Sequence, residues 1–219
     1  MKKSATWKWL AKAFLFVFIN LFSAAIFLVA LTFIHPDFEH GFLTGKAALF
    51  DGFWFPAGLY IHSFTAPVAL FLVSLLVIFR IERQVALHRF LGKVTLLLLL
   101  FAVVPSGWIL SGFAMGGSAG KFTFFVLSSY TAFAAFRGYT SIRSNDLFNH
   151  RFWMIEVLLL LSSAIILRLL LALFQREFQW FGDTAYCTAA IASWVPSVIV
   201  LKIIRLRREK SINNTEATS

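Results

Sequence analysis

Long apolar runs alternate with short polar breaks along most of this chain. The apolar runs cover about residues 13–34, 59–79, 91–113, 120–142, 152–174 and 184–204. Each has roughly the 20 residues that a helix needs to cross a bilayer core of about 30 Å. Runs such as Val94–Val104 and Val157–Leu173 lack the every-second-residue alternation of a barrel strand. In lipid the backbone must satisfy its own hydrogen bonds, so continuous apolar runs predict helices. The pattern therefore predicts an all-α integral membrane protein, a six-transmembrane helical bundle. A basic segment at 1–12 precedes the membrane domain at 13–205, and a polar tail follows at 206–219. The short breaks make consecutive helices antiparallel neighbours.

The first run resembles a signal peptide only superficially. Lys2, Lys3, Lys8 and Lys12 form a positive leader. The stretch from Ala13 to Ile34 is longer than the 7–15 residues of a signal core, and no small-residue cleavage site ends it. A retained helix is expected.

Composition agrees with lipid as the solvent: the chain is 59% hydrophobic and 14% charged. Its formal net charge of +10 could point to nucleic acid, but the distribution argues against that. One side collects the four lysines of the leader, then Arg80, Arg83, Arg89 and Lys93. It also collects Arg137, Arg143 and Arg151, then Lys202, Arg205, Arg207, Arg208 and Lys210. Only Lys46, Lys121, Arg168 and Arg176 of the 20 basic residues fall elsewhere. This is the positive-inside pattern, and it predicts both termini in the cytoplasm. The basic side then meets anionic membrane lipids, and no nucleic-acid partner is expected.

The loop at 35–58 contains Asp37, Glu39 and Asp51 and is rich in aromatics, Phe38, Phe42, Phe50, Phe53, Trp54 and Phe55 among them. It reads as an interfacial segment or as a lid over an outer pocket. Cys187 is the only cysteine, which excludes an intrachain disulfide and a thiolate metal cluster.

Ionisable groups within a bundle are costly, so function is sought there first. His62, His88, His150, Glu156 and Arg168 stand out. Eighteen residues make five helical turns, so His150 and Arg168 share a face at opposite depths, as do His62 and Arg80. Glu156 points about 120° away from the His150–Arg168 face and should meet another helix. It is expected to be protonated or paired with an arginine such as Arg151, with a proton-relay role as the functional alternative. The triplets His88-Arg89-Phe90 and His150-Arg151-Phe152 each open a leucine-rich run and suggest a weak internal repeat.

His88 and His150 have two readings. They can ligate haem b, with Arg89 and Arg151 binding its propionates, or they can cap helix ends and anchor the arginines at the headgroups. His62, Arg168 and Glu156 are expected to line a polar intramembrane site, in which His62 and Arg168 take an anionic or quinone-like ligand on the outer side unless Arg168 snorkels to the headgroups. There is no Walker loop, dinucleotide fingerprint, zinc-protease motif or serine elbow.

At these residues the chain resembles a bacterial multi-pass family catalogued as domain of unknown function 2306. The matching elements are His62, then His88-Arg89-Phe90-Leu91-Gly92. They continue with Asp146 through His150-Arg151-Phe152-Trp153-Met154, and Leu167-Arg168. The resemblance covers about residues 59–170, and Glu156 departs from the family pattern. It implies a bacterial inner-membrane protein and supplies no reaction. The functional expectation is a haem b- or quinone-associated redox protein that exchanges electrons with a partner protein. The alternatives are a small-molecule transporter or ligand-binding protein, and a non-catalytic assembly factor.

Overall fold

A computed structural model of the chain describes residues 2–40, 43–79 and 84–216. Phe42, Arg80 and Arg83, and with them the face expected to join His62 to Arg80, lie outside the described residues. All the long elements are helices. In chain order they are α1 (Lys2–Leu31), α2 (Trp54–Ile78), α3 (Val85–Leu98) and α4 (Val104–Ser111). These are followed by α5 (Gly117–Arg143), α6 (Leu147–Glu177), α7 (Gly182–Ala192) and α8 (Val195–Glu216).

Among the described residues, the eight α-helices make six long stretches. α3 and α4 are one rod interrupted by a π-turn at Leu99–Val103. Pro105 explains the interruption: it has no N–H to offer the carbonyl of Phe101, so the ladder widens just before it. α7 and α8 form a second interrupted rod, broken at Ser193 and Trp194 just before Pro196. α8 continues helically to Glu216, so the region expected as a polar tail from 206 is mostly an extension of the last helix.

Among the described residues, five stretches are long and apolar enough to cross a membrane, namely those containing α1, α2, α3–α4, α6 and α7–α8. The other long helix, α5, has the length but is richer in serine, threonine and tyrosine. Large apolar side chains cover the outside of the bundle, including Trp7, Phe14, Phe71, Phe101, Phe122, Phe136 and Ile203. Phe101 is 77% exposed. Water would not tolerate such a surface, whereas lipid requires it.

Cross-helix contacts establish the antiparallel order. Between α1 and α2, Phe16 meets Phe79, Asn20 donates to Ser74 Oγ at 3.0 Å, and Phe27 meets Phe64. Between α5 and α6, Tyr130 pairs with Glu156, Phe133 packs on Trp153, and Gly138 O meets His150. In each pair one residue number rises as the other falls. The helix starts of α1, α3 and α6 and the ends of α2, α5 and α8 therefore gather at one end, here named the basic end.

Glycines bring the backbones together at three successive interfaces. A Cβ at Gly58 on α2 would lie 2.7 Å from Ile109 Cγ2 on α4. One at Gly107 on α4 would lie 2.5 Å from Ser128 Oγ on α5, and one at Gly138 on α5 would collide with the end of Met154 on α6. Without a hydrophobic drive between helices in lipid, such close approach is what gives packing its strength. The main core lies between these helices, around Ala69, Val73, Leu99, Ala134, Val157 and Leu160.

The loop after α1 packs into a small core of its own. Phe33, Leu43, Phe55 and Leu59 are buried there, and Tyr60 donates to Phe33 O at 2.8 Å. Leu110 joins this cluster and Phe55 meets Phe113, so the segment covers the α2 and α4 ends opposite the basic end. Asp37 closes a turn by accepting from the N–H groups of Glu39 and His40, which hold its carboxyl below the usual range.

Candidate functional site

The π-turn positions the first group of polar side chains. Pro105 and the widened turn leave Val103 O turned toward α2, where His62 Nδ1 lies 3.2 Å away. Ser106 Oγ is also 3.2 Å from His62 Nδ1 and itself donates to Val103 O and Ala102 O. Because Gly107 has no side chain, Ser128 of α5 and the His62 ring both close on its Cα. His62 is thus clamped between α2, α4 and α5.

Arg168 of α6 is within electrostatic reach of this histidine. Its Nη1 donates to Ala164 O at 2.8 Å, which holds the guanidinium at its own level rather than extending it to the headgroups. Tyr186 of α7 interacts with the same guanidinium and rests against Phe124 of α5. His62 lies eight residues inside α2 and Arg168 nine residues inside α6, counted from the end opposite the basic end. At 1.5 Å per residue these are depths of about 12 Å and about 14 Å. Among the described residues no carboxylate pairs with Arg168.

Glu156 belongs to a different place. It is 3% exposed, and its Oε1 accepts from Tyr130 of α5 at 2.5 Å. It meets another helix, as its angle on α6 predicts, but its partner there is a tyrosine and not Arg151. Twelve residues separate it from Arg168 on one helix, about 18 Å along the axis. An aromatic and cationic group surrounds the pair. Lys202 Nζ sits 5.1 Å over the Tyr130 ring, and Arg205 sits 5.1 Å over Trp153. Arg137 approaches Trp153 at 5.8 Å, and Trp194 packs on Tyr130. The indole N–H groups of Trp153 and Trp194 are buried with no acceptor among the described residues.

His150 stands at the start of α6, which the Asp146 side chain caps by accepting from Asn149 N at 2.9 Å. The Asn149 backbone N–H, then its side-chain amide, hold the Asp146 carboxyl below its ordinary range. His150 Nδ1 lies 2.8 Å from Gly138 O. A carbonyl can only accept, so Nδ1 carries the hydrogen, and in the neutral ring the lone pair is then on Nε2. His88 is half-buried at the start of α3, and Arg89 and Arg151 are exposed. The two triplets differ in setting: Phe90 is 63% exposed and Phe152 is buried. α3 packs mainly on α2, whereas α6 packs mainly on α5.

Of the residues singled out from sequence, Arg168 is exposed and within electrostatic reach of His62, Glu156 stands apart, and His88 and His150 open separately packed helices. Tyr130, Tyr186, Ser106, Ser128 and Trp194 join these groups and carried no motif, and Trp153, part of the family element, joins them too. The one available signal was the hydroxyl residues of α5, Thr123, Ser128, Ser129 and Tyr130, on the one long stretch outside the five apolar enough to span. Cys187 is half-buried on α7.

Among protein-family models, residues 59–205 match the one described as a predicted membrane protein, DUF2306. Neither the curated proteins nor the solved structures contain a match.

Proposed function

Because the chain belongs to the DUF2306 family of predicted membrane proteins, we propose that it is a six-span ligand-binding protein with both termini in the cytoplasm. α5 is the sixth span. The ligand is a small amphiphile with an electron-rich oxygen head, a quinone or a carboxylate, held between α2, α4, α6 and α7. What supports this reading is Arg168 within electrostatic reach of a histidine that the π-turn holds in place. A cation inside a bilayer is costly without a counter-charge, and π-turns recur at functional sites. An imidazole and a guanidinium both donate to oxygen, and Tyr186 adds a third polar group.

The test uses the purified full-length protein with a short-chain ubiquinone and with decanoate as probes. Binding of one of them should weaken at least tenfold in His62→Ala and in Arg168→Gln and persist in Glu156→Gln. Absence of binding by the wild type, or equal binding by all three variants, would reject this reading.

A second reading rests on His150. Its Nδ1–H is fixed by a backbone carbonyl, which is how a metal-ligating histidine is commonly oriented with Nε2 free. Haem b bound there would supply one-electron chemistry, with His88 as the candidate second ligand and Arg89 and Arg151 as propionate partners. A reduced-minus-oxidised visible spectrum of protein made with ample haem decides. Sharp b-type bands lost in His150→Ala support it, and a flat spectrum from folded protein rejects it.

A further inference from the structure

A groove opens at the basic end, between the start of α6 and the middle of α8. Its volume is about 320 Å³. Phe148, Phe152 and Ile155 of α6 and Leu201 and Ile204 of α8 line it, together with Arg151 and Arg208. We propose that this groove is a specific site for one anionic phospholipid, whose headgroup phosphate is bound between Arg151 and Arg208.

Helix geometry orders the lining by depth. Positions 148, 151, 152 and 155 follow the i, i+3, i+4, i+7 spacing of one helix face, as do 201, 204 and 208. α6 runs away from the basic end and α8 runs toward it. Phe148 and Arg151 are therefore shallow and Ile155 deep on one wall, while Arg208 is shallow and Leu201 deep on the other. The two guanidinium groups share the headgroup level, and the aliphatic side chains share the level of the first methylenes. This gradient matches a phospholipid better than a soluble anion, which would gain nothing from the apolar depth. The Phe148 and Phe152 rings, 4.9 Å apart, form a rigid wall for an acyl chain.

Charge and size narrow the ligand. Lys202, Arg207 and Lys210 on α8 add positive charge at this end, while Arg205 is paired with Glu209 at 2.9 Å. Guanidinium groups bind phosphate oxygens bidentately, and a second cation in a headgroup would be repelled. A glycerol-type anionic headgroup fits, and a choline headgroup does not. The volume admits one headgroup with the upper part of one chain and leaves the remaining chain in the surrounding lipid.

Native mass spectrometry of the full-length protein released from detergent provides the test. The probes are didecanoyl phosphatidylglycerol, didecanoyl phosphatidylcholine and inorganic phosphate. One phosphatidylglycerol should remain bound per chain, with at least tenfold preference over phosphatidylcholine and no displacement by millimolar phosphate. The double variant Arg151→Gln/Arg208→Gln should lose the preference. Ile204→Trp, which fills the groove and leaves both arginines, should lower retention of phosphatidylglycerol at least fivefold. Circular dichroism checks that each variant is folded, and if the arginine variant is not, the Ile204→Trp result decides. Equal retention of the two lipids, displacement by phosphate, or unchanged retention in the folded variants would overturn the proposal.

Discussion

At the scale of single residues, Glu156 and Tyr130 make the most sensitive pair. A buried oxygen that loses its donor costs about 1–3 kcal/mol. Tyr130→Phe removes the donor and leaves the carboxyl group in place, so it should destabilise the protein by about that amount. Glu156→Gln keeps an acceptor at the same position and should cost less. Thermal unfolding in one detergent compares them, and the opposite order would show that Tyr130 is not the group that satisfies Glu156. Asp146 gives a pH-dependent counterpart at the edge of the membrane. Its folded carboxyl is held below its ordinary value, so its contribution to stability is full above the unfolded pKa and disappears as pH falls through the folded one. Asp146→Ala should cost about 1 kcal/mol at neutral pH, as loss of an N-cap does, and nothing once the wild-type carboxyl is protonated. Melting curves taken across the acid range measure both ends of that window.

At the scale of elements, the interrupted rod α3–α4 links fold to site. Pro105→Ala restores an N–H to the ladder and allows the π-turn to close into ordinary helix. The regular rod should be more stable, while Val103 O and Ser106 turn away from His62. The expected outcome is a higher melting temperature together with at least tenfold weaker probe binding. A gain in stability with binding intact would separate the π-turn from the site. The same element shows what the sequence made legible. The apolar runs located each long helix, because burial in lipid makes hydropathy nearly sufficient to find a span. The π-turn was not foreseen, since Pro105 alone does not say whether a helix kinks, ends or widens. His62 and Arg168 were legible as isolated ionisable residues in apolar surroundings. Tyr186 and Ser128 were not, because tyrosine and serine are ordinary in membrane helices and only the packing of α5, α6 and α7 gives them neighbours. The partner of Glu156 was unreadable for the same reason: helical angle predicts which way a side chain points and not which helix stands there.

At the scale of the whole molecule, topology is the property to measure. The proposed arrangement puts the connection at 144–146 on the same side as both termini, and those at 112–116 and 178–181 on the other. Cys187 is the only native cysteine, so Cys187→Ser provides a clean background. In that background Ser144→Cys should react with an impermeant maleimide only in inside-out vesicles, and Gln179→Cys only in right-side-out vesicles. The reverse result, Ser144→Cys labelled in right-side-out and Gln179→Cys in inside-out vesicles, would remove α5 as a span and reverse everything after it.

The modest hydropathy of α5 also bears on how the chain is made. A helix carrying Lys121, Arg137 and a row of hydroxyl groups partitions poorly into lipid from a translocon that reads each segment in turn. Its polar groups find their partners on α6, which emerges later and binds it through Gly138, His150 and the Tyr130–Glu156 pair. α5 should therefore wait at the exit until α6 arrives, and the two should enter the bilayer as one hairpin. A chain stopped after residue 146 would leave α5 outside the membrane, and one stopped after residue 178 would bring it in.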